Sequence, residues 1–353
     1  MSLLVIPGCS MAELHLFRPN STLDTLFREF NDLTRSAALK SILATTVLYF
    51  LLNVFHLIIL TRPTMRSLSV SNEMILIAAC GIVSGMLGVA KNIVEFIEDE
   101  YFCVHTYFYQ VVVIIDFTLF QVINQIILWE IVYITFLRAA IILDVRHGIK
   151  TDNAKKYMRR LIYTFFGIFL MNHLFRISLQ RIVVELDPEE IERQKAGAIC
   201  DPKTVYNIGS IAGNCVKRIT LGISAITSLM IPIVIMCLLS IFLVFELRTS
   251  SELSTTSSQS SNRQNSAARA LLLFLCFYVL AELPYAVLFG VGLYNPADFE
   301  QMDEYIYTQV DNFIFVNMCL GILVYCLMSS QYRETIRITF FNQNKVMSGE
   351  QVN

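Results

Sequence analysis

Seven stretches of this chain are each long and apolar enough to cross a lipid bilayer, and no other feature narrows its fold so far. A helix needs about 20 mostly apolar residues to span the hydrocarbon core. The runs are Leu39–Leu60, Met74–Phe96, Tyr107–Leu137, Leu161–Leu179, Ile219–Phe245, Ala270–Tyr294 and Gln309–Met328. The third exceeds what a span requires, which fits either a tilted helix or an ordered segment leading into it. All are continuous rather than alternating ten-residue strands, which argues against a β-barrel. Composition agrees: 55% of the 353 residues are hydrophobic and 16% are charged, against about 25% charged in a soluble domain. So few polar residues cannot cover water-facing surfaces, which rules out an ordinary cytosolic enzyme, a disordered protein and a collagen-like fibre. A net charge of −2 implies no affinity for nucleic acid.

The sequence thus predicts an all-α membrane protein: a segment 1–38, a seven-helix bundle 39–328, and a surface helix with tail 329–353. Met1–Pro7 has a short apolar run and no basic leader, so the first span is expected to act as its own insertion signal. Lys and Arg near the spans set orientation. With the N-terminus outside, the inner loops and tail hold 15 basic residues and the outer segments 10, counting Lys40 at the outer end of the first run. The short outer loops Glu95–Glu100 and Asp298–Glu304 have four acids each and no base. Asn20, in Asn20-Ser21-Thr22, is the one glycosylation sequon and falls on the outer side. Within Thr249–Ser266, 11 of 18 residues are Ser or Thr, which predicts a disordered inner linker open to phosphorylation. After the seventh run, Ser329 and Ser330 can cap a helix whose Tyr332, Ile336, Thr339 and Phe340 share one face. Arg333 and Arg337 lie on other faces, as in an amphipathic helix on the inner membrane surface.

An ionisable group at membrane depth costs about 3 kcal/mol on insertion scales, so such groups face the bundle interior. Here they are Lys91, Glu95, Asp116, Glu130, Arg176, Glu282 and Asp311. Lys91 and Glu95, four residues apart, are placed to pair on one helical face. Asp116, Asp311 and Glu95 lie toward the outer third and are expected to form an acidic funnel for a cationic ligand. Glu282 sits mid-span beside Pro284, which removes a backbone donor and kinks the helix; an acid there is a candidate ligand contact or switch, or a glutamate bonded within the bundle. Asn53, Asn124 and Asn317 suit interhelical hydrogen bonds, and Asn124 also faces the expected pocket. Cys103 and Cys200 occupy outer positions where a bridge would persist. Cys9 and Cys215 are alternative outer partners, and the sequence leaves the connectivity open. No metal-ligand spacing, catalytic constellation or internal repeat is present, and the last absence weakens a transporter reading.

The motifs, taken in order, resemble those of rhodopsin-like G-protein-coupled receptors. They are most similar to the nematode SRW serpentine chemoreceptors and related receptors for FMRFamide-like peptides. The residues that carry the resemblance are Asn53-Val-Phe-His56 through Arg62-Pro-Thr-Met65-Arg66, Trp129 nine residues before Arg138, and Glu246-Leu-Arg248. Ala281-Glu282-Leu283-Pro284 and Tyr325-Cys-Leu-Met-Ser-Ser-Gln-Tyr-Arg333 complete the series. The resemblance implies a plasma-membrane receptor coupling an extracellular peptide or small molecule to a heterotrimeric G protein, without cofactor or enzymatic activity. It places Arg138, Trp129, Tyr325 and Pro284 in coupling and switching, with the ends of spans five and six around Val244–Arg248 and Ala267–Ala270. The outer pocket it implies holds Asp116, Asn124, Glu282 and Asp311, with Glu95 at the mouth. Some positions depart from the general pattern: Leu137 precedes Arg138 where an acid is usual, Gly81 stands where an aspartate is expected, and Gly321 through Tyr325 replaces NPxxY. Loss of both polar partners argues against a bound sodium ion, and the absence of lysine from the seventh run argues against a retinal pigment. Two other classes stay open, a seven-span channel or transporter and a receptor that binds ligand without signalling.

Overall fold

Each of the seven apolar runs is helical in the computed structural model, which describes residues 22–66, 70–101, 107–148, 150–184, 206–210, 214–253 and 259–341. Span one lies in the helix Thr22–Leu60, span two in Ser71–Tyr101, span three in Tyr107–His147 and span four in Asp152–Ser178. Span five is built from Asn214–Ser224, a π-helical turn Ala225–Met230, and Ile231–Leu253; span six lies in Gln259–Tyr294 and span seven in Pro296–Met328. A short helix, Pro63–Arg66, follows span one, and a surface helix, Ser330–Phe341, follows span seven. Sequence-adjacent spans pack on one another, span seven closes on span one, and span three also packs on span five. Span three is the inner member, with 61% of its apolar window buried against 22–56% for the others. Leu51, Met86, Met171, Phe245, Leu283 and Leu327 are exposed on the outside of the bundle, where lipid rather than water can solvate them.

Several helices run past the expected membrane boundary. The helix of span one begins at Thr22, 17 residues before the apolar run starts. Asp24, buried in its first turn, is well placed against the helix dipole and accepts a bond from Arg28 at 3.4 Å. A polar seam ties this helix to that of span seven. Gln309 donates to Asn31 at 3.1 Å and to Thr34 at 3.0 Å; Asn312 donates to Ser41 at 2.7 Å and accepts from Thr45 at 2.8 Å. The two acidic segments expected as short outer loops are helical instead: Glu95–Glu100 extends span two and Asp298–Glu304 opens span seven. Spans six and seven are joined by one residue, Asn295. Its N–H donates to the Val291 carbonyl, its carbonyl accepts from Phe299, and Pro296 starts the next helix where no donor is needed.

Glycines set the approach of span two to span one. Gly81, Gly85 and Gly88 line the side of span two that faces Asn53, Phe50 and Thr46. A Cβ at Gly85 would come within 3.0 Å of the Phe50 Cα, and one at Gly81 would run into the Asn53 amide. Small residues at this spacing let membrane helices touch backbone to backbone. The occupied space beside Gly81 also explains why no aspartate stands there.

Local chemistry explains the breaks. Span three ends where Gly148 adopts φ 64°, a left-handed conformation that glycine reaches without a Cβ penalty. The turn into span four is then held by Asp144, which accepts from the Thr151 N–H at 3.2 Å and hydroxyl at 3.1 Å. In span five Pro232 has no N–H to give the Ser228 carbonyl four residues earlier; Gln125 of span three donates to that carbonyl at 3.4 Å. Between spans four and five lies an antiparallel hairpin of β1 (Gln180–Val184) and β2 (Tyr206–Ser210), paired from Gln180↔Ser210 to Val184↔Tyr206 and packed on the span-three helix. Within the segment expected to be a disordered linker, Thr249–Leu253 and Gln259–Ser266 are helical instead.

Candidate functional site

Spans three to seven line a small cavity of about 20 Å³, partly open to solvent. Span three lines it with Gln121, Asn124 and Gln125, and span four with Phe169, His173 and Arg176. Spans five and six supply Ser224, Ser228, Glu282, Tyr285 and Phe289. The walls mix polar side chains with apolar and aromatic ones, and several of the polar groups are deeply buried: His173 is 2% exposed, Gln125 and Ser228 4%, and Glu282 6%. Gln125 Oε1, His173 Nε2 and Ser228 Oγ have no protein partner. Glu282 makes no hydrogen bond or ion pair with a described residue. His173 is fixed by stacking on Phe169 at 5.5 Å. Asn172 next to it ties span four to span five, donating to the Thr220 carbonyl at 2.9 Å and to Ser224 Oγ at 2.8 Å.

A second compartment of about 20 Å³ lies beside the first, with Gln121 and Tyr285 common to both walls. It contains Lys91, Asp116 and Asp311. Asp311 accepts the Tyr285 hydroxyl at 2.6 Å and pairs with Lys91 at 3.8 Å. The four residues expected to share one pocket are therefore divided, with Asn124 and Glu282 in one compartment and Asp116 and Asp311 in the other. Lys91 is drawn to Asp311 across the bundle rather than held only by Glu95 on its own helix. An acid with a lysine at this distance is a weaker lure for a cation than a free one, so the expected funnel is partly discharged. Asn124 does reach across helices, accepting from Ser84 at 3.3 Å, whereas Asn53 and Asn317 donate to carbonyls of their own helices.

At the opposite end of span three, Arg138 is partly buried, its Nε has no protein partner, and its guanidinium lies close enough to Tyr325 to interact electrostatically. Tyr325 is packed edge-on against His56 at 5.7 Å, Phe274 at 6.4 Å and Tyr332 at 5.9 Å. Tyr332, the third residue of the surface helix, is wholly buried and hydrogen-bonded to His56 Nδ1 at 3.1 Å. Its N–H is capped by Ser329 Oγ at 3.3 Å. Burial pushes the Tyr332 phenol well above its ordinary range, so it stays neutral. The surface helix is thus anchored into the bundle by the residue expected on its membrane face, while Arg333 and Arg337 are exposed. Trp129 is 1% exposed and stacks flat on Phe165 of span four at 5.6 Å, a packing contact between spans three and four. Pro284 lies inside the helix of span six, between the cavity-lining residues Glu282 and Tyr285.

Asn20, Cys9, Cys103 and Cys200 lie outside the described residues, as do the side chains of Glu95 and of residues 247–271. Cys215 is disulfide-bonded; it is one of the outer partners the sequence left open. Cys80, Cys237, Cys276, Cys319 and Cys326, all within spans, are free. The residues that sequence reasoning missed are Gln121, Gln125, His173, Ser228 and Tyr285. All are uncharged polar side chains inside apolar runs, and Pro232 was the available signal for the exposed carbonyl at Ser228.

The family model described as "Serpentine type 7TM GPCR chemoreceptor Srw" matches residues 41–343, from the start of span one to just past the surface helix. No curated protein matches the chain. Seven helices of the required length and hydropathy, a polar cavity among them and a match over most of the sequence lead to one assignment: the chain belongs to the Srw family of serpentine seven-transmembrane GPCR chemoreceptors.

Proposed function

We propose that this multi-pass membrane protein works at the plasma membrane, binding an extracellular ligand between spans three and six and activating a heterotrimeric G protein at the Arg138 end. The ligand is an RFamide-like neuropeptide or an environmental chemical cue. The observation that carries the reading is the placement of buried polar groups without protein partners around one cavity of a chemoreceptor-family bundle. Such groups cost free energy until a ligand or water satisfies them. A ligand that binds one arrangement of the bundle better than another shifts the population by that difference in affinity and no more. The π-helical turn of span five and Pro284 of span six supply the weak points at which those helices can rearrange.

A screen of peptides and odorants with cells expressing the chain and a promiscuous Gα reporter tests this. GTP loading that requires both ligand and receptor supports it. A ligand-gated current persisting without G protein would replace it with the channel reading. Orientation has its own test: with the N-terminus outside, glycosidase shifts the gel mobility of the wild type and leaves Asn20→Gln unmoved. An identical shift in both would place the N-terminus or the modified site elsewhere.

A further inference from the structure

The unsatisfied groups around the first cavity are not a balanced set. Gln125 gives one of its two amide N–H groups to the Ser228 carbonyl, and its Oε1, which has no protein partner, can only accept. An ionised Glu282 carboxylate also only accepts. Ser228 Oγ and His173 Nε2 can act in either sense. The cavity therefore asks for hydrogen-bond donors. Its charge points the same way: among the described residues the cation at the wall is Arg176, which already has a partner, while Glu282 has none. Phe169, Tyr285 and Phe289 line the same space, and aromatic rings can attract cations.

We infer that this cavity takes a donor-rich organic cation, a primary ammonium or a guanidinium, with Glu282 as counter-ion and Gln125 Oε1 as second acceptor. The proposal rests on the reading of this cavity as the ligand site, and it moves cation recognition from the outer acids to span six. Asp311 is already held by Lys91 and Tyr285, so the competing anchor is Asp116 in the neighbouring compartment. A peptide supplies the same chemistry through an arginine or lysine side chain, and a free amine supplies it directly.

The test uses the full-length chain in detergent, followed by its thermal unfolding midpoint. The probes are phenethylamine and a phenylalkylguanidine, each beside a neutral alcohol of the same shape, and a short amidated peptide containing arginine beside its citrulline counterpart. A cation that binds only the folded state raises the midpoint as its concentration rises. The expected result is stabilisation by at least one cationic probe and by none of the neutral ones. Glu282→Gln should weaken that cation's apparent affinity about tenfold or more, the scale of a lost charge-assisted hydrogen bond. Gln125→Leu should weaken it several-fold, and Asp116→Asn should leave it within about threefold. Equal stabilisation by charged and neutral partners, no stabilisation by any cation, or a larger loss from Asp116→Asn than from Glu282→Gln would overturn the proposal. The unliganded midpoint of each variant separates a folding defect from lost recognition, and Glu282→Asp, which keeps the charge, should retain part of the binding. Which member of the panel binds separates free amines from peptides. The receptor reading fails separately: a cation that stabilises the chain yet never drives GTP loading leaves the site standing without the signalling role, whereas GTP loading by a neutral ligand with Glu282→Gln unaffected does the reverse.

Discussion

Replacing Gly85 with leucine is expected to remove most of the receptor from the cell surface. The Cβ of any residue at this position meets backbone atoms, the Phe50 Cα at 3.0 Å and its N at 3.2 Å. A rotamer change cannot relieve that contact; spans one and two must separate. Overpacking of this kind costs about 1–3 kcal/mol, enough to change cellular abundance several-fold. Separation would also disturb Tyr49 and Phe315, whose rings meet at 5.4 Å beside the same seam. Gly85→Ala should show a smaller loss. Gly167→Ala is the control, because a Cβ at Gly167 meets nothing within 4 Å. Surface staining of an epitope-tagged chain, with the midpoint of the solubilised protein, gives the ordering. Comparable surface levels for Gly85→Leu and Gly167→Ala would mean that the two helices do not pack as closely as described.

Arg138→Ala is expected to cut agonist-driven G-protein activation about tenfold or more while leaving surface expression near normal, since allosteric couplings are typically worth about 1–3 kcal/mol. The asymmetry follows from how little the guanidinium does for the folded bundle. Its Nε has no protein partner, and no described carboxylate pairs with it. A buried cation left in that condition contributes little to stability and is available to a protein docking at this end. Tyr325→Phe tests the neighbourhood, because it keeps the ring contacts to His56, Phe274 and Tyr332 and removes only the hydroxyl. GTP loading normalised to surface receptor is the readout. Undiminished coupling in Arg138→Ala would remove the residue from the mechanism and favour the reading of a receptor that does not signal through it.

The spans were legible because lipid imposes a crude rule: a helix with every backbone group satisfied and about 20 apolar side chains in a row. Their polar extensions were not, because once a helix leaves the bilayer its composition looks like a loop. Asp298–Glu304 illustrates this, an acidic stretch that is helical because Pro296 and Asn295 start it directly from the preceding helix. The hairpin is hidden for a related reason, since its five-residue strands are far apart in sequence and pair only through the fold. Scarcity of charge was a useful filter for Glu282, Asp116 and Asp311, yet it said nothing of which charges neutralise one another. The partnership of Lys91 with Asp311 depends on the registry of spans two and seven, and periodicity within either helix does not contain it. Gln125, His173 and Ser228 passed through the filter because they carry no formal charge. Gly81, Gly85 and Gly88 were in plain view at helical spacing and carried a packing message that composition alone does not reveal.

The helix of span three contains neither glycine nor proline between Tyr107 and His147. At about 1.5 Å per residue it is a rod of about 60 Å, twice the thickness of the hydrocarbon it crosses. Asn124 and Arg138 are separated by 14 residues, about 21 Å and within about 40° of the same azimuth. Such a rod has high torsional and bending stiffness, so a turn imposed at the level of Asn124 arrives at Arg138 with little attenuation. Under the proposed function the softer helices around it serve as bearings, and the work of a ligand is spent on displacing them rather than on twisting the shaft.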